Sequence, residues 1–221
     1  MITFSCTLKE RNQMLGLETI TTFFAASLLL ALAPGPDNLF VLTQSALHGR
    51  IPGLLVVCGL CTGLLVHTLA VVCGLAVLFQ VSAAAFVALK LLGAGYLIYL
   101  AWQAFRAPSA RLEFGSLPRQ PLGRLYLRGI VMNVTNPKVS IFFLAFLPQF
   151  ADPGRGPIPP QLVSLGALFI LATILVFGLL ALLAGTLGAW FSRSQRAQLV
   201  LNRIAGTVFI ALALRLATTQ R

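Results

Sequence analysis

Long apolar runs separated by short polar segments make up most of this chain. No Asp, Glu, Lys or Arg occurs from Ile51 to Leu89, and none from Gly156 to Ser192. An apolar run of about 18 residues or more can cross a bilayer as a helix, and the first stretch is long enough for two. The pattern predicts six spans: Leu17 to Leu47, Gly53 to Phe79, Ala83 to Phe105, Leu125 to Phe150, Gln161 to Phe191 and Leu199 to Ala217. Prolines interrupt two of them. Pro34-Gly35-Pro36 breaks the first and Asn136-Pro137 breaks the fourth. Arg106 to Arg124 carries no apolar run and reads as a loop, and Asp152 to Pro160, rich in Pro and Gly, as a second. Met1 to Gln13 is polar and mixed, with no apolar region long enough for a cleavable signal. It reads as a disordered extension before a six-helix domain at 14–221, and Met14 is an alternative start.

A weak internal repeat matches the two breaks. Pro36-Asp37-Asn38-Leu39-Phe40-Val41-Leu42 aligns with Pro137-Lys138-Val139-Ser140-Ile141-Phe142-Phe143, and Lys90, Gly93, Tyr96 and Leu97 align with Arg203, Gly206, Phe209 and Ile210. Two three-helix halves follow, 17–105 and 125–217, joined by the loop at 106–124. An odd number of helices per half forces the halves into opposite orientation. The expected fold is therefore an all-α integral membrane protein of six transmembrane helices, built as two inverted three-helix repeats with helices one and four broken. Inverted repeats with broken helices in corresponding places mark secondary transporters, with the binding site at the breaks.

Composition agrees. The 221 residues are 58% apolar and 10% charged, against about 25% charged in soluble domains. The net charge of +11 does not point to nucleic acid, because the basic residues cluster between apolar runs and form no continuous stripe. They set orientation instead. Arg50, Arg106, Arg111, Arg119, Arg124, Arg128, Arg193 and Arg196 fall on one side, and Lys9, Arg11, Arg155, Arg215 and Arg221 on the other. The richer side faces the cytoplasm, which places the long loop inside and both termini in the periplasm.

Candidate chemistry gathers at the breaks. Gly35 and Asn136 stand at capping positions and Pro36 and Pro137 at first helical positions, so each break begins a half-helix whose free N–H groups can receive a carboxylate. Asp37 is the one acidic residue well inside a span. It either caps its own half-helix or holds a proton or a substrate ammonium. Lys138 opposes the dipole of the half-helix it begins, and a cation near mid-membrane costs about 2.5–3.5 kcal/mol on insertion scales. A pairing or binding role explains it, and Asp37, at the matching repeat position, is the expected partner. Lys90 either snorkels to the headgroups or joins the site. The expected substrate-binding set is Pro34, Gly35, Pro36, Asp37, Asn38, Asn136, Pro137, Lys138 and Lys90, with Asp37 also carrying protons. Gly59 and Gly63 read as close helix packing.

Four cysteines occur, at Cys6, Cys58, Cys61 and Cys73. Cys58 and Cys61 with His67 fall short of the four ligands of a closed metal site, so no metal or cofactor is expected. A thiol–disulfide electron carrier needs paired cysteines near the breaks, and a metal-cation efflux protein needs several hard or soft ligands along its path. Both remain as alternatives, and an enzyme lacks a nucleophile and base set.

Three blocks carry a resemblance. Ala33-Pro34-Gly35-Pro36-Asp37 is the first. Asn133-Val-Thr-Asn136-Pro137-Lys138, continued by Phe142-Phe143 and Phe146-Leu147-Pro148-Gln149-Phe150, is the second. Lys90-x-x-Gly93-Ala94-x-Tyr96-Leu97 with Arg106 is the third. Together they resemble the LysE/RhtB family of amino-acid exporters, over nearly the whole chain from Met14 onward. The resemblance implies export of amino acids or derivatives such as lysine, threonine, homoserine or its lactone. It further implies the bacterial inner membrane and coupling to the proton-motive force. One buried acid suits a neutral substrate better than a dibasic one. The partners expected are a small-molecule substrate, protons and the lipid bilayer, with the oligomeric state, a homodimer included, left open.

Overall fold

A computed structural model describes residues 15–33, 35–81, 83–107, 118–193 and 195–218. The polar extension, Pro34 and most of the predicted long loop lie outside these residues. All the described secondary structure is helical: α1 (Leu17–Leu32), α2 (Pro36–His48), α3 (Arg50–Val81), α4 (Ala83–Arg106), α5 (Leu122–Val134), α6 (Pro137–Ile141), α7 (Ile158–Arg193) and α8 (Gln195–Thr218). After α6 the chain widens into a π-helical turn, Phe142–Phe146, and tightens into a 3-10 turn, Leu147–Phe150. Each predicted span is found as a helix or a broken pair. The unbroken helices run a few residues past the predicted spans, because first turns such as Arg50 to Pro52 and Ile158 to Pro160 carry prolines at positions whose N–H groups have no partner in any helix.

Among the described residues, α3, α7 and α8 are long and apolar enough to cross a membrane. The pairs α1–α2 and α5–α6, bent by 63° and 49°, bring the candidate spans to five. α4 stands where the third span was expected but is not among them. The membrane character shows on the outside. Leu171, Ile174, Leu175, Leu179, Leu182 and Leu183 of α7 are all exposed, and a helix apolar on its outer face as well as its inner one belongs in lipid.

α3 packs against α5 and α7, α4 against α8, and α1 and α2 both rest on α7. The α3–α5 approach depends on glycine. A Cβ at Gly59 would strike the Tyr126 carbonyl, and one at Gly129 would sit 2.5 Å from the Val56 carbonyl. Gly63 faces the Asn133 side chain in the same way. The small-residue reading of this helix face holds, since bare backbone lets the axes come close.

The buried interior divides into two apolar clusters. One is aromatic: Phe23, Phe142, Phe143, Phe146, Phe150 and Phe169 pack with ring centroids 4.8–6.4 Å apart. The π-helical turn supplies three of these rings. The other cluster is mainly aliphatic, built on Val41, Val56, Val57, Leu60 and Leu125 with the single ring of Phe177. The two breaks lie between them.

Candidate functional site

The first break is an open helix end. α1 stops at Leu32, and the Ala33 N–H closes its last turn on the Leu29 carbonyl. The final carbonyls of any helix have no partner within it, and at membrane depth no bulk water supplies one. Here side chains do. The Asn38 Nδ2 donates to the Ala31 carbonyl at 2.8 Å. The Lys138 Nζ donates to the Leu30 and Ala33 carbonyls at 3.2 and 3.1 Å. The cation that opposes the dipole of α6 thus sits on the negative end of α1, where a cation is favourable. That resolves the puzzle posed by Lys138.

The second break caps itself. The Asn136 Oδ1 accepts from the Lys138 backbone N–H at 3.0 Å, so Asn136 is a true N-cap and Pro137 the first helical residue. The other end of the same amide reaches across: Asn136 Nδ2 donates to Asp37 Oδ2 at 2.8 Å. Asp37 is buried, 4% exposed. It does not cap α2, whose N-cap Gly35 has no side-chain cap bond. The expected direct pairing of Asp37 with Lys138 is not what forms. The carboxylate takes the Asn136 amide through Oδ2 and the ammonium takes two carbonyls at the open end of α1.

One carboxylate oxygen is left over. Asp37 Oδ1 is buried and has no hydrogen-bond partner. Asp37 and Lys138 both line a narrow cavity of about 20 Å³ with Leu30, Asn133, Phe169 and Thr173. That is room for about one water and too little for an amino acid. Its walls come from both apolar clusters, Leu30, Val139 and Phe169 from one and Ala31, Leu60 and Phe177 from the other. The polar site occupies the seam between them.

Of the expected set, Gly35, Pro36, Asp37, Asn38, Asn136, Pro137 and Lys138 gather at this seam. Lys90 does not. Its Nζ reaches the Ala217 carbonyl near the end of α8 at 3.5 Å, away from the cavity. Asn133 was missed as a site residue: it is buried, lines the cavity, and its Oδ1 has no partner. The signal was present, since Asn133 and Asn136 lie about one turn apart on the same face. His67 Nε2–H donates to the Asn133 carbonyl at 3.2 Å, and its ring is tilted against Phe143 with centroids 5.5 Å apart. It locks α3 to the end of α5. Cys58, Cys61 and Cys73 are free thiols, and among the described residues no group of three His, Cys, Asp or Glu could hold a metal ion.

Comparison with known proteins decides the family. The LysE type translocator family matches residues 28–220. The chain belongs to that family. It is similar to the homoserine/homoserine lactone efflux protein of Salmonella typhimurium, 36% identical over 90% of this chain and 95% of the relative. It is also similar to an uncharacterized membrane protein of Pseudomonas aeruginosa, at 31% over 92% of this chain and 97% of that one. The leucine efflux protein of Salmonella choleraesuis is 29% identical over 93% of this chain and 97% of its own. No solved structure matches. Membership in a translocator family makes this a multi-pass membrane transporter and not an enzyme, and both breaks fall inside the matched segment.

Proposed function

We propose that this protein exports small neutral amino acids or their close derivatives across the bacterial inner membrane. The observation that carries the reading is the unpartnered Asp37 Oδ1, on a residue that lines one narrow cavity with Lys138. A buried polar atom without a partner is costly, and a substrate ammonium or a proton removes that cost. The substrate carboxylate is offered the N–H groups that begin α6 and the charge of Lys138. Relatives named for efflux of homoserine, its lactone and leucine support the direction and the substrate class.

The finer reading has four parts. Six spans form two inverted repeats, an arrangement with which the mutual packing of α4 on α8 and of α3 on α7 agrees. The connection at 107–121 faces the cytoplasm. The two apolar clusters part in turn around the seam, so that the site opens first inward and then outward. Export is coupled to the proton-motive force by alternate occupation of Asp37 Oδ1 by a proton and by the substrate ammonium.

Cells overproducing the protein and loaded with dipeptides should release one or a few neutral amino acids several-fold faster than cells without it. A full amino-acid profile of the medium reads the result. No excess of any amino acid or derivative would overturn the reading.

A further inference from the structure

A second, larger space lies between α2 and α5. The groove is open to the outside, offers about 370 Å³ and is lined by Pro36, Phe40, Gln44, Gln120, Arg128 and Met132, among others. It is lined at one end by Pro36, the neighbour of Asp37, and at the other by Gln120, at the end of the 107–121 connection. It thus leads from the loop side of the protein to the first break.

Two of its side chains have opposite demands. The Arg128 guanidinium lies 4.5 Å over the Phe40 ring, a stacking that fixes a planar cation against the wall. A guanidinium so placed presents a rigid two-point donor that matches a carboxylate. Gln44 is 1% exposed, and its Oε1 has no hydrogen-bond partner. It is an acceptor awaiting a donor. An anion at Arg128 and an N–H donor at Gln44, on the wall of one groove, are both supplied by a zwitterion.

We propose that this groove is an access subsite in which the amino acid docks from the side of the 107–121 connection. Its carboxylate sits on Arg128 and its ammonium on Gln44, before it passes Pro36 to reach Asp37. The subsite rests on the export reading above and adds where the substrate is first recognised. Arg128 and Gln44 act here in binding and take no part in proton coupling.

The test measures initial rates of labelled leucine transport over a range of concentrations, in everted membrane vesicles and in proteoliposomes of the full chain. Arg128→Gln should raise KM about tenfold or more, the scale of one lost charge-assisted hydrogen bond, while the maximal rate stays within about twofold. Arg128→Lys should fall between the two, and Gln44→Leu should raise KM at least about threefold. Leucinamide, which has no carboxylate, should compete equally well against wild type and Arg128→Gln. An unchanged KM overturns the subsite, as does a fall in maximal rate alone or an equal loss of leucinamide competition. An Arg128→Gln effect present in phosphatidylethanolamine vesicles and absent in phosphatidylcholine would assign the groove to a lipid headgroup. If the wild type moves another neutral amino acid in place of leucine, that amino acid and its amide serve as the probes. If it moves none, the export reading fails and this subsite with it.

Discussion

The two breaks share one construction and solve it differently. At the second, Asn136 caps α6 with one end of its amide and closes the end of α5 with its own N–H on the Asn133 carbonyl, to which His67 of α3 adds a second bond. At the first, the last carbonyls of α1 depend on others: Asn38 from the next half-helix and Lys138 from across the molecule. The second break therefore serves the first. It supplies a cation to the end of α1 and an amide to Asp37 at the start of α2. A helix end completed by a distant element can be undone when that element moves, whereas the cap that Asn136 gives its own half-helix cannot. The first break is thus the place where the two halves of the molecule are coupled, and it is also where the unpartnered carboxylate oxygen lies.

Removing the distant support should do the most damage. Lys138→Met leaves the Leu30 and Ala33 carbonyls without donors, at about 1–3 kcal/mol for each buried group left unpaired. Membrane abundance should fall several-fold, as read by quantitative immunoblotting of membranes, and transport should vanish. Wild-type abundance would show that the end of α1 finds other donors. Asn136→Ala comes next. It deletes an N-cap, about 1 kcal/mol, and the amide on Asp37, so abundance should drop less than for Lys138→Met. Asn136→Asp tells the two losses apart: it keeps the cap but faces Asp37 with a second carboxylate, and should transport worse than its abundance explains. Lys90→Gln marks the small end of the scale. Lys90 touches the end of α8 and not the seam, so abundance and transport rate should stay within about twofold of wild type, the effect of a partly exposed polar contact. A loss of transport with normal abundance would bring Lys90 back into the site.

These contrasts also show what the sequence could and could not disclose. The spans were legible because lipid demands unbroken apolar length, and the breaks because Pro34-Gly35-Pro36 and Asn136-Pro137 violate that demand at matching places. The cap at Asn136 was legible too, since N-capping is a local rule. The partner of Lys138 was not. Its opposition to its own helix dipole signalled a partner elsewhere, but an acidic side chain was the obvious candidate and backbone carbonyls leave no mark in a sequence. Asn133 left a partial mark, its spacing from Asn136, but its burial depends on α3 coming within glycine distance of α5, a tertiary fact. The groove at Arg128 escaped because an arginine near a loop first reads as an orientation signal.

The central claim is that Lys138 holds the first break together while Asp37 carries the transported charge. Asp37→Asn separates them, because an asparagine can still accept from Asn136 and leaves the α1 carbonyls with Lys138. The decisive measurement reconstitutes wild type and Asp37→Asn at equal protein content and follows amino-acid transport driven by an imposed pH gradient. The account predicts near-normal membrane abundance for Asp37→Asn, with gradient-driven transport reduced to a few per cent of wild type or less. Gradient-driven transport at the wild-type rate would contradict it.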